Sequence, residues 1–289
     1  GYAEPMNPII DAFWRAAVYC LHPRVIALSF LPLVLMVALS FGLGFFFWES
    51  AVNGVTAGLQ ANEWVSVALG WLDSMGAGAL RGVVGPLIVL ALATPAVVVI
   101  SMLLVALMMT PAMVALVAER RFPLLERKRG ASWLGSFGWS LMSTVWALLA
   151  MVVSLPLWLI PPLIMVLPPL IWGWLTYRVM AFDALANHAT ALERRTLFKR
   201  HRLTLFGMGV LTGYLGAAPS LVWASGALFA AAFVILVPVA IWIYTLVFAF
   251  SSLWFAHYAL AALQALRDEP VQAHVDEVLP AVPLHASAR

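Results

Sequence analysis

The chain is short of charge and of cysteine. Only 10% of its 289 residues are charged, whereas 64% are hydrophobic and the mean hydropathy is +0.97. Soluble domains are about one quarter charged, so this balance excludes an ordinary soluble domain and predicts an integral membrane protein. The single cysteine, Cys20, excludes an internal disulfide framework, a thiolate metal cluster and a Cys-x-x-Cys redox pair. We expect it to be a small buried apolar residue.

Familiar catalytic motifs are also missing. The sequence contains no His-Glu-x-x-His metal motif, no phosphate-binding glycine loop and no Gly-x-Ser-x-Gly nucleophile motif. His188, His201 and His257 lie in three separate contexts, which disfavours a shared metal site. The net charge is only +3 and the basic residues form short clusters, which disfavours a nucleic-acid partner. We therefore expect no enzyme, no cofactor, no metal and no nucleic acid.

Long apolar runs dominate what is present. Val25–Trp48 has 24 residues, enough to span a bilayer, and 82–118 has 37 residues without a charge. Asn53–Arg81 between them is more polar and predicts an external loop or surface helix. Leu203–Leu266 is a second apolar region of 64 residues, in which Gly209 and Gly213 indicate a close helix approach. The fold class is all-α, a polytopic membrane protein with long transmembrane helices and proline-broken, partly penetrating hairpins.

The two ends of the chain differ from this membrane domain, which we place at residues 25–267. Residues 1–24 form an N-terminal segment in which Asn7–Leu21 predicts an interfacial helix, with Asn7 as the cap and Pro8 at the first position. Residues 268–289 contain three prolines and no apolar periodicity, and predict a disordered tail.

Basic clusters indicate the orientation. Glu119–Gly130 holds five basic residues and Arg178–Arg202 holds six. By the positive-inside rule both belong on the cytoplasmic side, together with Arg15 and Arg24, so we expect both termini to be cytoplasmic. Residues 131–177 must then enter the membrane and return.

The turn of that excursion lies in LPLWLIPPLIMVLPPLIW, residues 155–172, which contains five prolines. We interpret Pro161 and Pro162 as the end of the first arm, Leu163–Leu167 as the tip, and Pro168 and Pro169 as the start of the second helix. Only 15 apolar residues, Leu163–Tyr177, remain for the second arm, which favours partial penetration over two complete spans. Because lipid cannot satisfy an irregular backbone, the tip should be buried against protein or a water-filled cavity.

Two sets of residues are candidates for binding an anion. Arg194, Arg195, Lys199, Arg200 and Arg202 predict a basic cytoplasmic vestibule, unless they simply solvate a helix pair. His22 and Arg24 begin the first long helix, where free backbone N–H groups favour an anion, although Arg24 could equally snorkel to lipid headgroups. Asp183 is interpreted as a structural partner of Arg178 or of a backbone donor.

Taken in order, these residues resemble the etoposide-induced membrane-protein family, whose bacterial branch contains the CysZ-type sulfate permeases. The resemblance rests on HPRVIALSFLPL at the first helix, on the proline-rich hairpin, and on Phe182 and Asp183 leading through basic residues to Phe206–Gly209. It implies an α-helical sulfate permease of the bacterial inner membrane, assembled as a homo-oligomer. The family's Gly-Leu-Arg anion triplet corresponds here to His22, Pro23 and Arg24.

Two functions are open. The first is an anion permease, most of all for sulfate uptake in sulfur assimilation, with the lipid bilayer and an inorganic anion as its partners. The alternative is a membrane scaffold or envelope-homeostasis protein that transports nothing, because the apolar runs contain few of the polar residues that usually line an ion path.

Overall fold

The computed structural model describes residues 7–76, 78–128, 130–217 and 226–278. Regular structure in these ranges is helical throughout, so the all-α prediction is confirmed. The helices are α1 (Pro8–Cys20), α2 (Pro23–Ser29), α3 (Leu31–Ala61), α4 (Glu63–Ser74), α5 (Gly78–Arg121), α6 (Trp133–Ser154), a 3-10 helix (Leu155–Leu159), α7 (Pro161–Ala186), α8 (Ala191–Arg200), α9 (Arg202–Ala217) and α10 (Gly226–Val278).

Within the described residues, five helical segments are long and apolar enough to cross a membrane, which supports a multi-pass membrane protein. They are Pro23–Ala61, Gly82–Arg121, Leu134–Leu159, Pro161–Ala186 and Leu236–Glu269. The chain also divides into two compact units. One consists of the described residues up to Leu28 and from Met109 onward, and the other of Ser29–Met108.

The Ser29–Met108 unit is built from α3, α4 and most of α5. The segment Asn53–Arg81, predicted as a loop or surface helix, is helical: it continues α3 to Ala61, forms α4 and begins α5. Gly76 lies in the turn before α5 with φ 80°, a conformation that glycine adopts without a steric penalty. Helix α5 continues for 44 residues through Pro86, Pro95 and Pro111, so these prolines do not divide it.

In the other unit, α1 is docked against α10. The Asn7 side chain accepts a hydrogen bond from the Ile9 N–H at 3.2 Å and Pro8 occupies the first helical position, as predicted. The Trp254 indole N–H donates to the Ile9 carbonyl at 3.2 Å, and the Phe13 ring contacts the Trp254 ring edge-on at 5.2 Å. The predicted helix therefore exists, and one of its faces packs on protein.

The central hairpin turns earlier than predicted. The chain breaks at Ile160, and α7 begins directly at Pro161 and Pro162, whose missing N–H groups cost nothing in a first turn. Leu163–Leu167 is therefore helix and not tip, and Pro168 and Pro169 lie inside α7. Helix α7 has 26 residues, about 39 Å at helical rise, because it begins two residues before the predicted arm and continues past Arg178, so it is long enough to span by length and composition. Partial penetration by the hairpin stays a prediction.

The turn is also not buried within this chain. Leu159 is 87% exposed and Met165 is 74% exposed, and no residue of the 3-10 helix is buried. Pro169 has no N–H, so it leaves the Met165 carbonyl without its usual helical donor. The Tyr214 hydroxyl of α9 donates to this carbonyl instead, at 3.5 Å.

Helices α7 and α9 approach closely through glycines. A Cβ on Gly209 would collide with the Gly173 carbonyl oxygen and lie 3.0 Å from the Tyr177 Cβ. A Cβ on Gly173 would in turn lie 2.7 Å from the Val210 Cα. The predicted close approach at Gly209 is thus present, and Gly213 faces the same helix at ordinary contact distance.

Helix α10 continues beyond the predicted end of the membrane domain. Residues 268–278, expected to begin a disordered tail, form its last turns. The rest of that prediction, residues 279–289, lies outside the described residues.

Candidate functional site

A cationic cavity of about 540 Å³ lies where α6, α7, α8 and α9 meet. Five of the described residues that line it are basic, and none of them is acidic. Aromatic rings form most of the remaining wall. The lining consists of Arg178, Arg194, Arg195, Lys199 and Arg202 with Trp139, Trp174, Tyr177, Phe182, Phe198 and Ala191.

The start of α8 positions three of these cations. Thr190 caps the helix: its hydroxyl accepts from the Glu193 N–H at 3.2 Å, and the Glu193 carboxylate accepts from the Thr190 N–H at 2.7 Å. Arg267 of α10 donates to both carboxylate oxygens of Glu193, at 2.9 and 3.1 Å. These contacts fix α8 so that Arg194, Arg195 and Lys199 reach the cavity.

Glu193 is held in its charged form. Its hydrogen bonds with Arg267 are the main cause that lowers its pKa to about 2, with a further contribution from the Thr190 backbone N–H. Both side chains of the Glu193–Arg267 pair are only 17% exposed, so solvent screens the pair weakly.

Two arginines of the cavity stack on an aromatic pair. The rings of Trp139 and Phe182 stack at 5.0 Å between centroids. The Arg178 guanidinium lies 4.1 Å from the Trp139 centroid, and that of Arg194 lies 4.3 Å from the Phe182 centroid. Stacking uses the faces of guanidinium groups and leaves their in-plane N–H donors available.

Some of those donors have no hydrogen-bond partner. Arg178 Nε and Arg194 Nη1 are buried and unpartnered among the described side chains. Burial lowers the pKa of the Arg194 guanidinium, but an arginine remains charged at neutral pH. Buried unpartnered donors cost free energy, and an oxyanion supplies the acceptors they lack.

Four of the five residues predicted to form a basic vestibule line this cavity. Arg194, Arg195, Lys199 and Arg202 line it, but Arg200 lies elsewhere and forms an ion pair with Glu269 at 2.5 Å. Arg178 joins the cavity instead of pairing with Asp183, and no hydrogen bond or ion pair links these two described side chains. Five residues apart on one helix, they are separated by about 140° around its axis.

His22 and Arg24 do not form the expected backbone site. The Arg24 N–H donates to His22 Nδ1 at 3.2 Å, and the N–H groups of Val25 and Ile26 donate to the His22 carbonyl at 2.9 and 3.1 Å. Pro23 has no N–H to offer. In the first turn of α2 the backbone N–H groups of Arg24, Val25 and Ile26 therefore all have acceptors, and the exposed Arg24 side chain and the His22 ring remain as the candidates.

The three histidines have different hydrogen-bond partners. His201 Nδ1 lies 2.8 Å from the Tyr258 hydroxyl, and His257 Nδ1 lies 3.2 Å from Arg121 Nη1. The His188 side chain is buried, and the His188 carbonyl accepts a hydrogen bond from Arg267. No group of three or more His, Cys, Asp or Glu side chains suited to a metal occurs among the described residues. Burial raises the pKa of the Cys20 thiol to about 11, so it stays protonated.

A second polar cluster was missed from the sequence. Asp11 of α1 accepts from Arg121 at the end of α5 at 2.8 Å and from Arg15 at 2.9 Å. Together they lower the pKa of Asp11, with the Arg15 hydrogen bond the main cause. The sequence signal for this cluster was the pair of opposite charges at Asp11 and Arg15, which are four residues apart and therefore adjacent on one face of a mostly apolar helix. The cluster ties α1 to α5, and Arg121 also reaches His257 of α10.

A family model described as Sulfate transporter CysZ/Etoposide-induced protein 2.4 matches residues 12–225. The chain belongs to this family. The match covers well over half of the sequence and confirms the resemblance stated above. No curated protein and no solved structure matches the chain. Membership of the CysZ/etoposide-induced family makes this a sulfate transporter-like membrane protein, and a transporter family is consistent with a protein that is not an enzyme.

Proposed function

We propose that the protein is an anion permease of the bacterial inner membrane, that sulfate is its leading substrate, and that the cationic cavity is the mouth of its path. The charge of the cavity carries this proposal. Among the described residues that line it, five are cations and none is an acid, and two buried guanidinium donors lack an acceptor in the part of the chain that the structure describes. A wall of one sign raises the local concentration of the opposite ion and speeds its entry.

The chemistry of the two stacked arginines suits an oxyanion. Guanidinium groups present planar pairs of N–H donors that match sulfate or phosphate oxygens. Arg178 and Arg194 are already held against Trp139 and Phe182, so little side-chain freedom is lost when an anion arrives. By the positive-inside rule the cavity faces the cytoplasm. Assembly as a homo-oligomer is part of the same proposal.

Uptake in cells tests the proposal. The gene is expressed in a bacterial strain that lacks its own sulfate permeases, and labelled sulfate uptake is measured at limiting sulfate. We expect the wild type and Arg200→Gln to restore uptake, because Arg200 is paired with Glu269 outside the cavity. The double variant Arg178→Gln/Arg194→Gln should lose most of it. If the wild-type protein reaches the membrane and restores no uptake, the proposal fails and the scaffold alternative is favoured.

A further inference from the structure

An apolar groove adjoins the cationic cavity. It has a volume of about 530 Å³ and lies between α6 and α7. Its lining residues are Trp146, Ala150, Leu167, Leu170, Ile171, Trp174 and Arg178. Trp174 and Arg178 line both spaces, and Arg178 is the one charged residue of the groove. An apolar space therefore leads directly to a cluster of five cations.

The groove has the length of one lipid leaflet. Leu167 and Arg178 are eleven residues apart on α7, which is about 16 Å at a rise of 1.5 Å per residue. Half of a hydrocarbon core of about 30 Å is about 15 Å. An acyl chain that starts from a headgroup beside Arg178 and lies against Ile171, Leu170 and Leu167 would therefore reach about the middle of the bilayer.

The charge at the end of the groove selects the kind of lipid. Basic pockets between transmembrane helices bind acidic headgroups. Arg178 is stacked on Trp139 and Trp174, at 4.1 and 5.2 Å from the ring centroids, so its guanidinium is held at the junction of the groove and the cavity. A permeating sulfate ion gains nothing from contact with an apolar wall, whereas a phospholipid would place its acyl chain in the groove and its headgroup in the cationic cavity.

We propose that the groove and the cationic cavity together form one binding site for an anionic phospholipid, with the headgroup phosphate at Arg178 and an acyl chain along α6 and α7. The phosphate would satisfy the unpartnered Nε–H group of Arg178. If the cavity also admits sulfate, the headgroup competes with it, so the lipid would regulate the proposed transport. The lipid site itself does not depend on transport.

Native mass spectrometry of the purified full-length chain tests the site. Detergent-solubilised protein is titrated with a long-chain phosphatidylglycerol, with phosphatidylcholine of the same chains, and with glycerol phosphate as a probe of the headgroup alone. We expect phosphatidylglycerol to bind at least tenfold more tightly than either of the others. Equal binding of phosphatidylglycerol and phosphatidylcholine would overturn the proposal, as would equal binding of glycerol phosphate.

Three variants separate the two halves of the site. Arg178→Gln removes the proposed phosphate ligand, and Leu170→Trp fills the groove while leaving every cation in place. Each should weaken phosphatidylglycerol binding at least tenfold, and Arg200→Gln should not change it. Size-exclusion elution at the wild-type volume confirms that each variant is folded. Unchanged binding in folded Leu170→Trp would show that no acyl chain occupies the groove, and would contradict the proposal whatever the transport assays find.

Discussion

At the scale of single residues, the burial of a charge and its partner decides its role. Arg178, Arg194 and Arg200 are close in sequence and look alike there. In the structure Arg200 pairs with Glu269 near the surface, whereas the other two lie on aromatic rings beside the cavity. A cluster of basic residues predicts a basic surface, but it does not show which of them will be paired with acids from other helices. The partner of Arg200, Glu269, lies 69 residues further along the chain, so the local sequence gives no sign of this pair.

Glu193 is the residue whose loss should most destabilise the wall of the cavity. Its pKa is lowered from 4.5 to about 2 by Arg267 and Thr190, so its stabilisation is complete above about pH 4.5 and is lost as the pH falls towards 2. We expect Glu193→Gln to reduce stability by about 2–3 kcal/mol at pH 7. Thermal unfolding in detergent should show a gap between variant and wild type that narrows between pH 5 and pH 3.

Glu269→Gln is the matched control for that experiment. The Glu269–Arg200 pair is about half exposed on both sides, and exposed pairs contribute about 0–1 kcal/mol. Its unfolding temperature should therefore stay close to that of the wild type at every pH. A gap between Glu193→Gln and wild type that stays constant from pH 7 to pH 3 would contradict the role assigned to the Glu193 carboxylate.

At the scale of elements, the packing of α7 on α9 depends on glycine at one crossing point. A Cβ at position 209 meets the Gly173 backbone carbonyl, which cannot rotate away, whereas a Cβ at position 207 meets no atom within 4 Å. We expect Gly209→Ala to destabilise the protein by about 1–3 kcal/mol through overpacking. Gly207→Ala should be neutral or stabilising by up to about 1 kcal/mol, since alanine favours helix.

Thermal unfolding of the two alanine variants in the same detergent measures this difference. Their helix propensities change equally, so any gap between them reports the close approach alone. Equal unfolding temperatures would show that α7 and α9 do not cross at Gly173 and Gly209. The four-residue spacing of Gly209 and Gly213 predicted this contact because small residues on one face of a membrane helix let a neighbouring helix backbone approach closely.

The proline-rich hairpin shows where element-scale prediction stops. The sequence correctly indicated a break in LPLWLIPPLIMVLPPLIW, because proline disfavours an uninterrupted helix. It placed the break one proline pair too late. Pro168 and Pro169 are tolerated inside α7 because a distant partner, Tyr214, donates to a carbonyl that they leave free. The sequence around Pro168 and Pro169 does not indicate that a side chain of another helix will supply the missing hydrogen bond.

At the scale of the whole molecule, the number of crossings determines where the termini lie. The described part of the chain contains five helical segments that are long enough to span, and α9 is a further apolar arm of 16 residues that precedes α10. If α6 with α7 and α9 with α10 each enter and return, both termini lie on the side of the basic clusters. The overall helical class followed from composition alone, but the pairing of arms depends on which helices contact each other.

Reporter fusions test this topology. A fluorescent protein that matures only in the cytoplasm should fluoresce at both ends of the chain. Alkaline phosphatase, which is active only outside the cytoplasm, should be active when inserted at Gly76, in the turn between α4 and α5. Phosphatase activity at the C-terminus would contradict the even number of crossings.

The most direct test of the central claim is sulfate flux through the purified protein. Wild type, Arg178→Gln/Arg194→Gln and Arg200→Gln are reconstituted at equal density in liposomes, and entry of labelled sulfate is followed with time. The account predicts protein-dependent flux that falls at least tenfold in the double variant, equivalent to about 1.4 kcal/mol, and is unchanged in Arg200→Gln. Flux no greater than in protein-free liposomes, or equal flux in the double variant and the wild type, would contradict it.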